Sequence, residues 1–195
     1  MHEPSTVRPD PPRFRYDGLQ RAFHWSMALI IVGAIGIGLY CSYLPPGTSP
    51  RRELLDLHKS LGMTAAVLIV FRIAYRLFRG EPRYRAPPSR VVHALARIAH
   101  LALYGLMILM PVTGYIYSGA GGYSLPWFGL FSWPRIVPLD KMLSRAGFLA
   151  HEWLGWTLVA LLVLHVLAVG WHGWLRRDEV RGRMIGWLPD RPGSV

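Results

Sequence analysis

The 195-residue chain is both apolar and basic, with 52% hydrophobic residues and a formal charge of +11 from 22 Lys and Arg against 11 Asp and Glu. Its apolar residues fall in long runs rather than alternating, a pattern typical of helices in lipid. The single cysteine, Cys41, excludes an internal disulfide and a cluster of thiolate ligands. The composition therefore indicates one membrane-embedded unit rather than a disulfide-rich or water-soluble protein.

Four apolar runs are predicted to cross the membrane, at about residues 19–43, 57–78, 92–117 and 148–174. We therefore expect an all-α membrane protein, a bundle of four transmembrane helices with both termini in the cytoplasm. Residues 1–15 are rich in Pro and Arg and are expected to form a mobile cytoplasmic tail. Residues 16–187 form the predicted helical domain, and residues 188–195 a short C-terminal tail.

Most of the positive charge flanks the apolar runs on one side of the predicted bundle. Sixteen of the 22 Lys and Arg lie at positions 8–21, 72–97 and 176–191, which are the start of the first run, the facing ends of the second and third with their connection, and the segment after the fourth. The positive-inside rule assigns that side to the cytoplasm. Because these residues flank apolar spans and no basic recognition helix is present, we expect membrane lipid and no nucleic acid as a partner.

The first two spans each carry one histidine close to an end. The first opens with RAFHW, which puts His24 near the cytoplasmic side, and it contains three glycines further along. The second opens with HKSLG, which puts His58 at the periplasmic side and Gly62 one turn further on. Such glycines suit either plain helix packing or close contact with a flat macrocycle.

The third span and the connection after it carry further signals. His93 and His100 lie one heptad apart near the cytoplasmic end, whereas Pro111 and Gly114 lie near the periplasmic end, where the proline is expected to kink the helix. The connection of residues 119–146 is long and rich in Gly, Pro and aromatic residues. It is expected to be a lid at the periplasmic lipid boundary.

The fourth run reads FLAHEWLGWTLVALLVLHVLAVGWHGW and carries His151 near its start and His165 well inside it. Fourteen positions separate the two histidines, so one helix presents both within about 40° around its axis and about 21 Å apart along it. Imidazole is a common axial ligand of haem iron, and ligating side chains inside a membrane are functional-site candidates. We predict that this helix carries one ligand for each of two stacked haems. Without a CxxCH motif, both would be b-type haems.

Depth in the membrane predicts the partners of these two histidines. His58 and His151 both begin helices that enter from the periplasm, so we expect them to bind the iron of a periplasmic-side haem. His24 and His165 are expected to bind the iron of a cytoplasmic-side haem, although their depths match less well.

Weaker candidates surround the predicted ligands. His100 and His172 are rivals for the cytoplasmic iron, or partners of a quinone or a haem propionate. Arginines at the cytoplasmic ends of the spans are expected either to form ion pairs with haem propionates or simply to extend their charged groups to the membrane interface, namely Arg21, Arg72 and Arg97. On the periplasmic side, the same two roles are expected for Lys59, Arg135 and Arg145. If the electron donor is an anion, it is expected to be attracted by Lys59, Arg135, Lys141 and Arg145.

The motifs RAFHW, HKSLG, the aromatic third connection, and HEWLGW followed by LHVLAVGWHGW resemble the prokaryotic cytochrome b561 family of four-helix dihaem membrane cytochromes. The resemblance covers residues 16–187. It implies that His24 and His165 ligate one haem b and that His58 and His151 ligate the other. It also implies electron exchange with ubiquinone, and one branch of the family resembles a superoxide oxidase that reduces ubiquinone.

Together these patterns predict a multi-pass cytochrome of the bacterial inner membrane that passes single electrons. The resemblance implies that these electrons move between a donor and the ubiquinone pool, most concretely in an oxidoreductase that couples superoxide oxidation to ubiquinone reduction. The alternative is a haem-bearing anchor subunit that relays electrons for a dehydrogenase or hydrogenase, with a redox partner protein. A haem-free transporter would leave His165, which is surrounded by Leu and Val, without a buried partner.

Overall fold

The computed structural model describes residues 13–176 and 180–185. In these ranges the elements are, in order, α1 (Gly18–Tyr43), α2 (Ser49–Arg79), α3 (Arg90–Ala120), strands β1 (Pro126–Trp127) and β2 (Phe131–Ser132), α4 (Lys141–Gly170), a π-helical turn (Trp171–Leu175) and α5 (Val180–Ile185). The predictions for residues 1–12 and for the C-terminal tail, 188–195, lie outside the described residues.

Four of the helices are long and apolar enough to cross a membrane, which confirms the predicted all-α membrane bundle. Few apolar side chains on them are fully buried, and many are exposed, for example Leu29 at 75% and Val70 at 63%. Exposed apolar surface of this extent is stable in lipid and would aggregate in water. The exposed faces therefore indicate a membrane environment.

Two helices begin earlier than the hydropathy predicts. α2 starts eight residues before the predicted position 57, with Thr48 as N-cap and a proline in its first turn. α4 starts seven residues before position 148, where the Asp140 carboxylate accepts hydrogen bonds from the backbone N–H groups of Met142 and Leu143 at 2.7 and 3.0 Å. The Asp140 cap satisfies N–H groups that helix geometry leaves without partners at the start of α4. The Thr48 side chain makes no such bond, but the proline in the first turn of α2 suits that position because it has no N–H that needs a partner.

The bundle consists of two antiparallel helix pairs. α1 packs closely on α2, and α3 on α4, while α2 and α3 join the two pairs. Within the described residues, α4 does not pack against α1 or α2 to a comparable extent. We call the end that holds the start of α1 the amino end, and the end that holds β1 and β2 the hairpin end.

Asp17 ties the start of α1 to the end of α2 at the amino end. Its carboxylate accepts a hydrogen bond from the Gln20 backbone at 2.9 Å and forms ion pairs with Arg79 at 3.4 Å and Arg13 at 3.5 Å. Burial by itself raises the pKa of Asp17, but the hydrogen bonds from Gln20 and Arg79 outweigh it and hold that pKa below its usual value. The carboxylate is therefore charged at neutral pH, and its contribution to stability is lost as the pH falls through the lowered pKa.

The short helix α5 closes the amino end. Arg183 is 4% exposed, and its guanidinium lies 3.6 Å from the ring centre of Tyr84 and donates to the carbonyl of Pro82. The carbonyl of Arg183 accepts a hydrogen bond from the Tyr16 backbone at 3.2 Å. These contacts join α5 to the α2–α3 connection and to the segment before α1.

The connection after α3 folds into a small hairpin that is fixed to α2. Ser60, 1% exposed, lies within hydrogen-bond distance of the carbonyls of Asp56 and Pro126, at 2.7 and 3.0 Å, and accepts a hydrogen bond from the Phe128 backbone at 3.0 Å. The Trp127 indole donates to the Thr64 hydroxyl at 3.0 Å. The predicted lid is thus an ordered hairpin seated on the side of α2, a structure that turn residues alone do not predict.

Candidate functional site

At the hairpin end, one histidine of α2 faces one histidine of α4. The ring centres of His58 and His151 are 6.0 Å apart. Nδ1 of His58 donates to the Ala34 carbonyl at 2.8 Å, and Nδ1 of His151 donates to the Met110 carbonyl at 3.0 Å. A carbonyl accepts only, so each ring carries its proton on Nδ1 and leaves Nε2 with a free lone pair.

At the amino end, three histidines from three helices come together. The ring centre of His165 lies 6.4 Å from that of His24 and 5.7 Å from that of His100. Nδ1 of His24 lies 2.9 Å from a guanidinium nitrogen of Arg72. Because a guanidinium only donates, this histidine nitrogen is the acceptor, and the neutral ring carries its proton on Nε2. Iron ligation through Nε2 would therefore require the proton to move to Nδ1 and the Arg72 guanidinium to shift away from it.

Two glycines lie directly against the hairpin-end pair. A methyl group at Gly38 would lie 3.1 Å from Cε1 of His58, and one at Gly114 would lie 3.1 Å from Cε1 of His151. Both distances are shorter than ordinary van der Waals contact, so these rings need neighbours without a side chain. By contrast, a methyl group at Gly62 would have no atom within 4 Å, which leaves open space one turn from His58.

A small cleft of about 20 Å³ lies at the amino end, beside Arg72 and Arg76. Arg72 and Arg76 lie over the ring of Tyr104, at 5.5 and 5.7 Å from its centre. The cleft is lined by Tyr16, Gln20, Phe23, Arg72, Tyr75, Arg76, Tyr104 and Met184. It is therefore a basic and aromatic opening that reaches the level of His24.

The remaining predicted residues at the amino end lie apart from the histidine pairs or at their edge. Arg21 donates to the Ile185 carbonyl at 3.3 Å, and Arg97 is exposed. His172 is half-buried in the π-helical turn after α4. Arg72 alone among the three predicted arginines has a described contact with a predicted histidine ligand.

The four basic residues predicted at the hairpin end differ in their surroundings. Lys59 forms an ion pair with Asp56 at 3.1 Å and donates to the Ser124 carbonyl at 3.0 Å. Its charge is thus compensated and its position is fixed. The other three side chains are exposed, namely Arg135, Lys141 and Arg145.

The four-span fold agrees with comparisons to known proteins. A sequence profile described as prokaryotic cytochrome b561 matches residues 15–187. The chain belongs to the prokaryotic cytochrome b561 family. Membership in this family makes the protein a membrane electron carrier that binds haem b.

Individual relatives of this cytochrome cover nearly the same length. Cytochrome b561 homolog 2 of Escherichia coli (strain K12) is 32% identical over 173 residues, which is 88% of this chain and 92% of the relative. The probable superoxide oxidase CybB of Yersinia pestis is 26% identical over 171 residues, 88% of this chain and 96% of the relative. Cytochrome b561 homolog 1 of E. coli (strain K12) is 21% identical over 173 residues, with 88% and 97% covered.

The residues of this cytochrome fit haem b. Two imidazoles on opposite sides of one iron, each with a metal–nitrogen bond of about 2 Å as in zinc sites, have ring centres roughly 6.4 Å apart. The pairs His58–His151 and His24–His165 measure 6.0 and 6.4 Å. Among the described residues, no group of three or more His, Cys, Asp or Glu is arranged to hold a bare metal ion, whereas a haem iron requires only two axial ligands from the protein.

Proposed function

We propose that this cytochrome holds two b-type haems at two levels of the bundle and carries single electrons between them. His58 and His151 would ligate one iron at the hairpin end, and His24 and His165 the other at the amino end. The observation that carries the proposal is the facing of α4 histidines with histidines of α1 and α2 at two separate depths. The haems would supply one-electron redox chemistry. The protein would supply the iron ligands, exclude water from the haems and place charges near them.

The hydrogen bonds at the hairpin end support the role of His58 and His151 as ligands. Metal-ligating histidines usually donate their second ring N–H to a carbonyl or carboxylate, which fixes the tautomer and the ring orientation. The carbonyls of Ala34 and Met110 serve that role here. They leave Nε2 of each ring as the available iron ligand.

At the amino end, helix packing favours His24 over His100 as the partner of His165. α3 and α4 pack closely, and closely packed helices have axes about 8–10 Å apart. Two imidazoles with an iron between them require a wider separation. Because α1 and α4 lack close packing, the pair His24–His165 has the space that a porphyrin plane needs.

The proposed ligands are tested by haem counts and reduced-minus-oxidised spectra of purified variants. We expect His151→Ala to lose the hairpin-end haem and His165→Ala to lose the amino-end haem, each with about half of the absorbance retained. His24→Ala should resemble His165→Ala, whereas His100→Ala should keep both haems. Unchanged spectra in His151→Ala and His165→Ala would exclude the assignment.

We further propose that the electron acceptor is ubiquinone and that the amino end faces the cytoplasm of a bacterial inner membrane. Superoxide is the proposed donor, supported by the similarity to the probable superoxide oxidase of Y. pestis. The reaction balances when two superoxide ions each give up one electron and become O₂, and one ubiquinone takes two electrons and two protons.

If the protein instead anchors a dehydrogenase or hydrogenase, a soluble iron–sulfur protein should copurify, and superoxide should reduce the haems slowly.

The exposed basic residues at the hairpin end predict a salt-dependent reaction with superoxide. Positive charge raises the local concentration of an anion, and salt screens this attraction over a Debye length of about 8 Å at physiological ionic strength. We expect the second-order rate of haem reduction by superoxide, followed by stopped-flow absorbance, to fall several-fold between low and high salt. Lys141→Gln/Arg145→Gln should lower both the rate and its salt dependence, whereas Lys59→Gln, whose charge is already paired, should change them little.

A further inference from the structure

The two helix pairs repeat one sequence pattern. α3 matches α1 at a spacing of 76 positions along the chain, and α4 matches α2 at a spacing of 93. The second helix of each pair carries H-x-x-L-G-x-T, which begins at the histidine of the hairpin-end site. Identical residues occupy the matched positions Leu19 and Leu95, Arg21 and Arg97, His24 and His100, Gly38 and Gly114, Ser42 and Ser118, Arg52 and Arg145, His58 and His151, Leu61 and Leu154, Gly62 and Gly155, Thr64 and Thr157, and Leu68 and Leu161. Because self-similarity at a fixed spacing indicates a repeated structural unit, we treat α1–α2 and α3–α4 as two copies of one unit.

The matched positions include the groups that hold both hairpin-end histidines. The carbonyl that accepts from Nδ1 belongs to the residue four positions before the glycine that lies against the ring, in α1 for His58 and in α3 for His151. These two carbonyls, of Ala34 and Met110, are also 76 positions apart. Each copy of the unit therefore holds its histidine in the same way.

Between the carbonyl and the glycine, the copies differ in one side chain that can form hydrogen bonds, Thr113 in α3 against Ile37 in α1. Oγ1 of Thr113 lies 3.3 Å from Nδ1 of His151 and 2.9 Å from the Leu109 carbonyl. Threonine in a helix commonly donates its hydroxyl proton to the carbonyl one turn back, which leaves an oxygen lone pair for the His151 N–H. His151 thus has a second acceptor, which isoleucine cannot supply to His58.

This second acceptor would act on a bound iron through the ring of His151. The contact is made at Nδ1 and leaves Nε2 clear, so it is compatible with iron bound at Nε2. Stronger hydrogen bonding of the second ring N–H makes a ligating histidine more basic. A more basic ligand stabilises the oxidised iron, which lowers the reduction potential.

We propose that Thr113 is a positioning residue of the hairpin-end haem, which strengthens the hydrogen bonding of His151 and lowers the reduction potential of that haem. This inference rests on the proposed pair of haems. Thr113 does not itself contact the iron, and its effect is confined to the ligand that α4 supplies.

The test is a potentiometric titration of the purified protein followed by visible spectroscopy. His165→Ala, which is expected to retain only the hairpin-end haem, assigns the transition. In Thr113→Val, which keeps the shape of the side chain and removes the hydroxyl, we expect the hairpin-end potential to rise by about 30 mV, equivalent to roughly a threefold change in a one-electron equilibrium constant. The amino-end potential should stay unchanged, and Thr113→Ser should restore the hairpin-end potential.

The repeat supplies the reciprocal experiment. Ile37→Thr places a hydroxyl at the matched position beside His58, and we expect it to lower the hairpin-end potential by a similar amount. The matched control is Thr157→Val in α4. The Thr157 side chain is exposed and its hydroxyl donates to the Trp153 carbonyl one turn back at 2.9 Å, so its removal should leave both potentials in place.

The inference is overturned if Thr113→Val, with full haem content, keeps the hairpin-end potential of the unmodified protein. A fall would also overturn it, because the hydroxyl would then donate to the Met110 carbonyl, 3.0 Å away, and compete with His151. If Thr113→Val does not bind haem, Ile37→Thr decides, and an unchanged or higher potential there overturns the inference. A chain that binds fewer than two haems before any substitution would instead contradict the proposed function, so the two failures are distinguishable.

Discussion

Gly114 on α3 shows how one missing side chain governs the hairpin-end site. The ring of His151 lies so close to this glycine that a methyl group would approach Cε1 to 3.1 Å and Nδ1 to 3.2 Å. The same Nδ1 donates to the Met110 carbonyl and lies 3.3 Å from the Thr113 hydroxyl. A displaced ring would therefore lose both its orientation and its hydrogen bond.

We predict that Gly114→Ala shifts or abolishes the spectrum of the hairpin-end haem and spares that of the amino-end haem. The measurement is a reduced-minus-oxidised spectrum with haem quantified per chain. Gly105→Ala is the control, since position 105 lies half a helical turn around α3 from position 114, and a methyl group there would have no atom within 4 Å. Equal spectra in the two variants would mean that His151 is not held as described.

Among whole elements, the hairpin of β1 and β2 makes two of its hydrogen bonds to α2 through one side chain, that of Ser60. Phe128 and Gly129, the central residues of its turn, both have positive φ, at 50° and 73°. A bulky residue rarely adopts this conformation, and here the Phe128 N–H is held by the Ser60 hydroxyl at 3.0 Å. The serine thus stabilises a strained turn and joins it to the helix that carries His58.

Removal of that hydroxyl should loosen the hairpin without unfolding the bundle. Ser60→Ala leaves buried polar groups unsatisfied at a cost of about 1–3 kcal/mol, which raises the population of the detached hairpin roughly fivefold or more. We expect correspondingly faster limited proteolysis within residues 121–140 in detergent. Ser42→Ala, an exposed serine whose hydroxyl donates to the Leu39 carbonyl of its own helix, is the control. Equal cleavage rates for the two variants would refute the role of Ser60.

At the scale of the whole molecule, the distribution of charge concerns the orientation in the membrane, and the packing of the helices concerns the space for the proposed haems. The excess of Lys and Arg at the amino end predicts its orientation toward the cytoplasm. The limited packing of α4 against α1 and α2 leaves the space in which the proposed haems would join the two helix pairs. In that arrangement the cofactors are part of the packing of the bundle, and their binding stabilises the folded state.

The predicted orientation is tested with reporter fusions. Because both termini are predicted to lie in the cytoplasm, a green fluorescent protein fused after residue 195 should fluoresce, and alkaline phosphatase fused there should be inactive. Alkaline phosphatase inserted in the connection between α1 and α2, at Gly47, should be active. The reverse result would place the hairpin end inside and contradict the proposed orientation.

The amino-acid sequence by itself determined the four spans, because the length and apolarity of a run are sufficient to make a helix stable in lipid. It also placed His151 and His165 on one side of one helix, since helical periodicity follows from local geometry. The pairing with His58 and His24 stays a prediction from depth, and the facing of the rings supports it. Only the tertiary structure decided which groups contact Nδ1 of His24, His58 and His151 and where helices leave space between them. Those features depend on contacts such as Arg72 with His24, 48 positions apart in the chain, and no local pattern determines them.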